Sequence, residues 1–140
     1  MIAQTQCTVF KVNLLKGLEN FNTGSPYTYK IALYTADANL DEDTTVYTTQ
    51  NEVTGTGYTA GGLALVPTVP TSSNATAYIN FANVSWASSS FTARGALIYN
   101  SNTSAAVAVL NFGSDKTVSN QTFTVTFPAA TSTTAVIRIS

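Results

Sequence analysis

The chain contains no histidine, one cysteine and one tryptophan, and only 9% of its 140 residues are charged, against about 25% in an ordinary globular domain. Each shortage closes a class of function. Without an imidazole, neither a Ser-His-Asp nor a Cys-His arrangement can be assembled. The lone Cys7 cannot form an intramolecular disulfide, and a Cys/His metal cluster is excluded. Six Lys/Arg are widely spaced and outnumbered by seven Asp/Glu, for a net charge of -1. That leaves no clustered basic footprint of the kind nucleic acid requires. No apolar run approaches the ~18 residues of a membrane span, and Met1-Ile2-Ala3-Gln4-Thr5-Gln6 lacks the basic-then-apolar order of a secretory signal. The expected partners therefore include neither nucleic acid nor membrane, and no cofactor, metal ligand or catalytic residue is assigned.

Thr, Ser and Asn occupy the polar positions in place of charges, which favours strands, because Thr is β-branched and the long charged helix formers are scarce. The same composition produces four N-x-[ST] triplets, at Asn74, Asn83, Asn102 and Asn120; they follow from composition and are not read as glycosylation sites. A chain of this length fits one domain, 1–140, burying roughly 68% of its unfolded surface.

The chain is organised around Phe91-Thr92-Ala93-Arg94-Gly95-Ala96-Leu97-Ile98-Tyr99-Asn100, apolar on both faces from Ala96 to Tyr99 and closed by Ser101-Asn102-Thr103-Ser104. It reads as the central strand of an antiparallel sheet. A glycine inside such a strand only weakens it unless something packs close, so Gly95 is expected against Trp86 or another backbone. Before it, an N-terminal arm over 1–7 leads into the one helix candidate, 8–21. There Phe10, Leu14, Leu18 and Phe21 fall at helical spacing, with Val12 and Leu15 beside them, Thr8 as N-cap, and Lys11, Lys16 and Glu19 on the wet side. Tyr27 to Thr35 alternates as a strand, and Leu63 to Val66 gives another, stopped by Pro67 and Pro70. Thr71 to Thr76 reads as a polar loop. In Ala77 to Ser88 the apolar parity switches near Ala82-Asn83, which marks a bulge or turn. Ala105 to Phe112, a turn at Gly113-Ser114-Asp115-Lys116, and a strand at Thr122 to Phe127 follow. Phe123, Val125 and Phe127 are expected buried there, and Thr122, Thr124 and Thr126 exposed. Ala135 to Ile139 supplies the last strand. Seven to nine short strands at such intervals predict an all-β fold: a single antiparallel β-sandwich, jelly-roll or Ig-like, with one short N-terminal helix.

Three stretches invite a chemical reading. Asp37, Asn39, Asp41 and Asp43 alternate like a calcium loop, but Glu42 stands where the turn glycine belongs and Thr48 where the bidentate glutamate belongs, so a solvated acidic loop is expected. Glu52 to Gly62 holds four glycines without the Lys-Ser/Thr of a phosphate loop. Glu52, Asp115 and the acidic loop would have to converge to make a paired-carboxylate hydrolase, and all read as solvated loop positions. The chain is expected not to be an enzyme.

Several pieces, in order and over nearly the whole length, resemble a family of small tailed-bacteriophage virion structural proteins: Phe10-Lys11-Val12-Asn13-Leu14-Leu15-Lys16-Gly17, Tyr29-Lys30-Ile31-Ala32-Leu33-Tyr34-Thr35, Asn51-Glu52-Val53 with Gly57-Tyr58-Thr59-Ala60-Gly61-Gly62, Val84-Ser85-Trp86, and Phe91 to Tyr99. The resemblance implies a virion protein assembled in the host cytoplasm and carries no catalytic residues. The first expectation is a capsid decoration (cement) protein on the head surface, with the major capsid protein or other virion proteins as partner and a homotrimer favoured by analogy. A tail, neck or fibre adaptor or host-binding component is the second. A carbohydrate-binding module using Trp86 and the tyrosines is the third.

Overall fold

The structure, a computed structural model, describes residues 1–140. It consists of two antiparallel sheets and one short helix. In chain order the elements are β1 (Thr5–Gln6), α1 (Thr8–Leu15), β2 (Tyr29–Tyr34), β3 (Leu63–Ala64), β4 (Thr71–Ser73), β5 (Thr76–Ile79), β6 (Val84–Asn100), β7 (Ala106–Val125) and β8 (Ile137–Ile139). The larger sheet has the order β1-β7-β6-β2-β3 and the smaller β4-β5-β8. No helix is long and apolar enough to cross a membrane.

The expected central strand lies in the middle of the larger sheet. Tyr29 to Tyr34 pairs residue by residue with Asn100 to Gly95 on one side of β6, and β7 pairs along its other side. Burial on both sheet faces explains why this stretch reads as a continuous apolar run and not as an alternation. Gly95 is where two backbones come together: a Cβ placed on it would sit 2.5 Å from the Leu110 carbonyl oxygen and 2.9 Å from the Ile2 methyl groups. The close neighbour is thus another backbone and the side chain of Ile2. Trp86 packs elsewhere, with its ring 6.0 Å from that of Phe123.

Sequence expectation and structure part in five places. First, α1 ends at Leu15 and not at residue 21, because Gly17 takes φ +72° and closes the helix. Gly17 N–H bonds to the Leu14 carbonyl and Leu18 N–H to the Asn13 carbonyl, the paired bonds of a Schellman stop. Second, Cys7 and not Thr8 is the N-cap, and it makes no side-chain capping bond. Third, the 1–7 segment, read from the sequence only as an arm leading into the helix, is part of the fold: Ile2 is buried, Ala3 N–H and the Leu40 carbonyl lie 2.8 Å apart, and β1 pairs with β7 at Val109 and Ala108. Fourth, Thr71 to Thr76 is a hairpin, its turn residues Asn74 and Ala75 both at positive φ as a tight two-residue turn requires. Fifth, Gly113 to Lys116 does not divide two strands. It is a wide bulge inside the 20-residue β7: between the pairs Ala93–Lys116 and Gly95–Asn111, β6 advances two residues and β7 five.

Both sheets contribute to one core of 30 buried residues, among them Ile31, Leu97 and Val109 from the larger sheet and Ile79 and Ile137 from the smaller. Two aromatic clusters run through it. Phe21 stacks on Tyr29 at 4.4 Å and meets Phe81, which meets Phe127; Phe91 meets Phe123 at 5.0 Å beside Trp86. The parity switch at Ala82-Asn83 is the point where the chain leaves β5 in one sheet and enters β6 in the other.

Candidate functional site

Two carboxylates, Glu19 and Glu52, are buried, and burial of a charge without partners is costly enough that each needs a physical account. Glu52 follows an Asn51 at positive φ and bridges to Tyr34 of β2, which turns its side chain inward. It accepts three hydrogen bonds: from the Tyr47 hydroxyl at 2.6 Å, the Tyr58 hydroxyl at 2.5 Å and the Gly61 amide at 2.8 Å. The network continues outward. Leu33 N–H donates to the Tyr58 oxygen, and the Tyr99 hydroxyl donates to the Gly61 carbonyl at 2.7 Å. Tyr47 stacks on Tyr99 at 4.6 Å, and the Tyr34 hydroxyl donates to the Thr48 carbonyl. An ionised carboxylate has only acceptors, and it is met here only by donors. Burial pushes the Tyr34, Tyr47, Tyr58 and Tyr99 phenols above their usual range; hydrogen bonding to the Glu52 carboxylate adds to the shift at Tyr47 and Tyr58, and its negative charge adds at all four. They are therefore protonated donors at neutral pH. The cluster pins the 47–61 segment onto β2 and β6.

Glu19 lies just past the helix stop. Its Oε1 accepts from Asn100 Nδ2 at 2.8 Å, tying the post-helix loop to the end of β6, while Oε2 has no partner. Desolvation raises its pKa, and the bond from Asn100 acts in the other direction. Glu19 was expected on the wet side of a longer helix; ending α1 at Gly17 reverses the side it faces.

The remaining sequence candidates do not converge. Asp115 pairs with Arg94 Nε at 2.9 Å across the β7 bulge, with both side chains well exposed. In the acidic loop, Asp41 Oδ1 accepts from Asp43 N–H and Thr44 Oγ1 from Asp41 N–H, local turn bonds of a solvated segment. No group of three acidic, histidine or cysteine side chains gathers anywhere as metal ligands would. Burial pushes the Cys7 thiol up to about 11, away from the thiolate that a nucleophile requires. Trp86 is 4% exposed and offers no face to a sugar. The tyrosine set around Glu52 escaped sequence reasoning, since its members are scattered from residue 34 to residue 99. The one available signal was an isolated acid in a stretch otherwise free of charge.

The clefts lie away from these carboxylates, with one exception. A groove of about 420 Å³ runs between β1, β7 and the 125–138 segment, and one of about 580 Å³ between α1 and β8. A smaller apolar hollow of about 200 Å³, lined by Phe10, Leu14, Phe21, Ile79 and Ile137, includes Glu19 in its wall.

The far half of the β6–β7 hairpin is uncovered along one edge. β1 covers β7 only at Ala108 and Val109. From Asn111 to Thr124 the outer edge of β7 has no strand beside it, and most of its side chains are exposed Thr, Ser, Asn and Gln. Searches of protein-family profiles, curated proteins and solved structures find no match to this chain.

Proposed function

We propose that this chain is a non-enzymatic structural subunit of a tailed-phage virion, a decoration protein that binds the head surface and bridges major capsid subunits. The observation that carries the reading is the far half of the β6–β7 hairpin: a long, polar, unpaired strand edge on a base held by the buried core and the Glu52 cluster. An edge of this length is a template for backbone pairing with another chain, and a protein that works among fixed neighbours has such a partner at hand. The resemblance of the quoted segments to small virion proteins supports the same reading. So does the state of Glu52, whose carboxylate is engaged in holding two phenols and a backbone amide. We further read the two sheets as the halves of one sandwich, on the ground that both feed a single core.

Quantitative mass spectrometry of purified virions tests the assignment. A cement protein closes many equivalent seams, so the chain should be found within a few-fold of the major capsid protein, and particles lacking it should lose resistance to heat. Recovery in a few copies, with detached tails and not with heads, would move it to the tail or neck. Absence from the particle would end the virion reading.

A further inference from the structure

Trp86, the one indole of the chain, is buried, and its Nε1–H is shielded from solvent with no acceptor within hydrogen-bond reach. A buried indole N–H ordinarily finds a partner, so this one sets Trp86 apart. Two aromatic rings pack on it, Phe123 at 6.0 Å and Tyr58 at 6.1 Å between centroids. Tyr58 is the one that carries a base: its hydroxyl donates to Glu52 Oε2 at 2.5 Å, a short charge-assisted bond. The other carboxylate oxygen accepts from the Tyr47 hydroxyl at 2.6 Å, and Tyr47, stacked on Tyr99, is half-exposed. Indole, phenol, carboxylate and phenol therefore follow one another in contact from the core to the surface.

We infer that Tyr58, Glu52 and Tyr47 form a proton-coupled electron relay, which refills Trp86 after a one-electron oxidant of the oxidising-radical class has taken an electron from it. The oxidised indole is a radical cation. It cannot shed its proton, because Nε1 faces no acceptor, and so it keeps its full oxidising strength. Tyr58 passes one electron to Trp86 and its hydroxyl proton to Glu52 Oε2. The products are a neutral indole, a neutral tyrosyl radical and a carboxylic acid. The cation on Trp86 and the anion on Glu52 disappear together, which a poorly solvating core favours. The radical moves outward when Tyr47 gives an electron to Tyr58 and a proton to Oε1, while the proton on Oε2 returns to the Tyr58 oxygen. At half-exposed Tyr47 an electron from a thiolate in solution, with the Oε1 proton returning to the phenol, restores the starting state and leaves a thiyl radical. The geometry suits this task beyond holding the 47–61 segment. Tyr58 is a protonated phenol at neutral pH, so it releases an electron readily only where its proton has a base to go to, and it has that base on one side and the indole on the other. The relay depends on the Glu52 cluster alone and holds wherever the chain assembles.

Pulse radiolysis of the full chain, with azide radical as the oxidant, tests the inference. Indole and tyrosyl radicals absorb at different wavelengths and are followed separately. The Trp86 radical should decay as the tyrosyl signal grows, at a rate independent of protein concentration and slower in heavy water. Tyr58→Phe keeps a ring against Trp86 but has no proton to give, and Glu52→Gln keeps an acceptor oxygen but is no base. Each should slow the transfer by at least about tenfold, whereas Tyr78→Phe, on β5 of the smaller sheet, should leave it unchanged. Circular dichroism establishes that the variants fold, and the unmodified chain carries a test of its own. There, a Trp86 radical that decays without matching growth of the tyrosyl signal, or a transfer indifferent to heavy water, would overturn the inference. A folded Tyr58→Phe or Glu52→Gln chain that transfers as fast as the parent would overturn it as well.

Discussion

The near and far halves of the β6–β7 hairpin belong to the same two strands, yet the near half is enclosed and the far half is largely open. From Gly95 to Asn100 and from Ala106 to Val109 every residue is buried, with β2 beside β6 and β1 beside β7. From Val84 to Arg94 buried residues are interleaved with exposed or half-buried ones, and from Asn111 to Thr122 none is buried: Trp86, Phe91, Phe123 and Val125 face in, and Ser85, Thr117, Thr122 and Thr124 face out. The division falls at the β7 bulge, where the register with β6 shifts, just beyond Val109, the last β7 residue paired with β1. One hairpin thus serves as an anchor at one end and a presented edge at the other.

Alkali should break the near half most severely. Burial pushes the phenols of Tyr29, Tyr34, Tyr47, Tyr58 and Tyr99 above their ordinary value, and all but Tyr58 sit on or against the near strands. A group whose folded pKa is raised contributes stability that is complete below its unfolded pKa, about 10 for tyrosine, and is lost as pH rises beyond it. Phenolate absorbance and circular dichroism followed together above that pH should change in one cooperative step. Stepwise ionisation of these phenols at ordinary pKa with the fold intact would show that they are not buried.

Glu52→Ala comes next in size. It leaves two phenols and the Gly61 amide without their acceptor, at about 1–3 kcal/mol for each buried unsatisfied group. We expect a loss of about 3–5 kcal/mol in chemical denaturation, with Glu52→Gln costing less because one acceptor oxygen survives. A loss below about 1 kcal/mol would mean that the cluster does not hold the 47–61 segment. Gly95→Ala, at the boundary between the halves, should cost about 1–3 kcal/mol through overpacking, because the Leu110 carbonyl, being backbone, cannot step aside as a side chain could. An unchanged melting temperature would sink that placement.

These sites differ in how readable they were. The central strand was legible because full burial leaves an uninterrupted apolar run, and the Phe123/Val125/Phe127 alternation because one wet face imposes a period of two. The helix end was misread because Leu18 and Phe21 continue the helical spacing in sequence after Gly17 has turned the chain; Phe21 reaches the core from a loop. The β7 bulge was misread because Gly-Ser-Asp-Lys is the composition of a connecting turn, and only pairing with an unbroken β6 keeps the strand going. The Glu52 cluster depends on contacts between residues far apart in the chain, such as Tyr99 with Gly61 and with Tyr47, for which no local pattern exists.

The smallest effect, and the most direct probe of the open half, concerns its hydroxyl pairs. Thr92 Oγ1 and Thr117 Oγ1 lie 2.8 Å apart on the exposed face, and Ser85 Oγ and Thr124 Oγ1 2.9 Å apart. Directly opposed Thr pairs contribute roughly 0.2–1 kcal/mol relative to alanine, and water competes for these hydroxyls in the free chain, so the lower end applies. A double-mutant cycle with Thr92→Ala and Thr117→Ala should return a coupling of a few tenths of a kcal/mol, and each single substitution should fall within about 0.5 kcal/mol of the parent. Amide exchange sharpens the contrast: the edge amides of β7 beyond Asn111 should exchange faster than those of Val107 and Val109, whose strand lies between two others. If the cycle instead returned about 2 kcal/mol, or if the far amides were as protected as the near ones, that face would already be covered in the free protein. The far half would then be a second anchor, with no edge left to present to another chain.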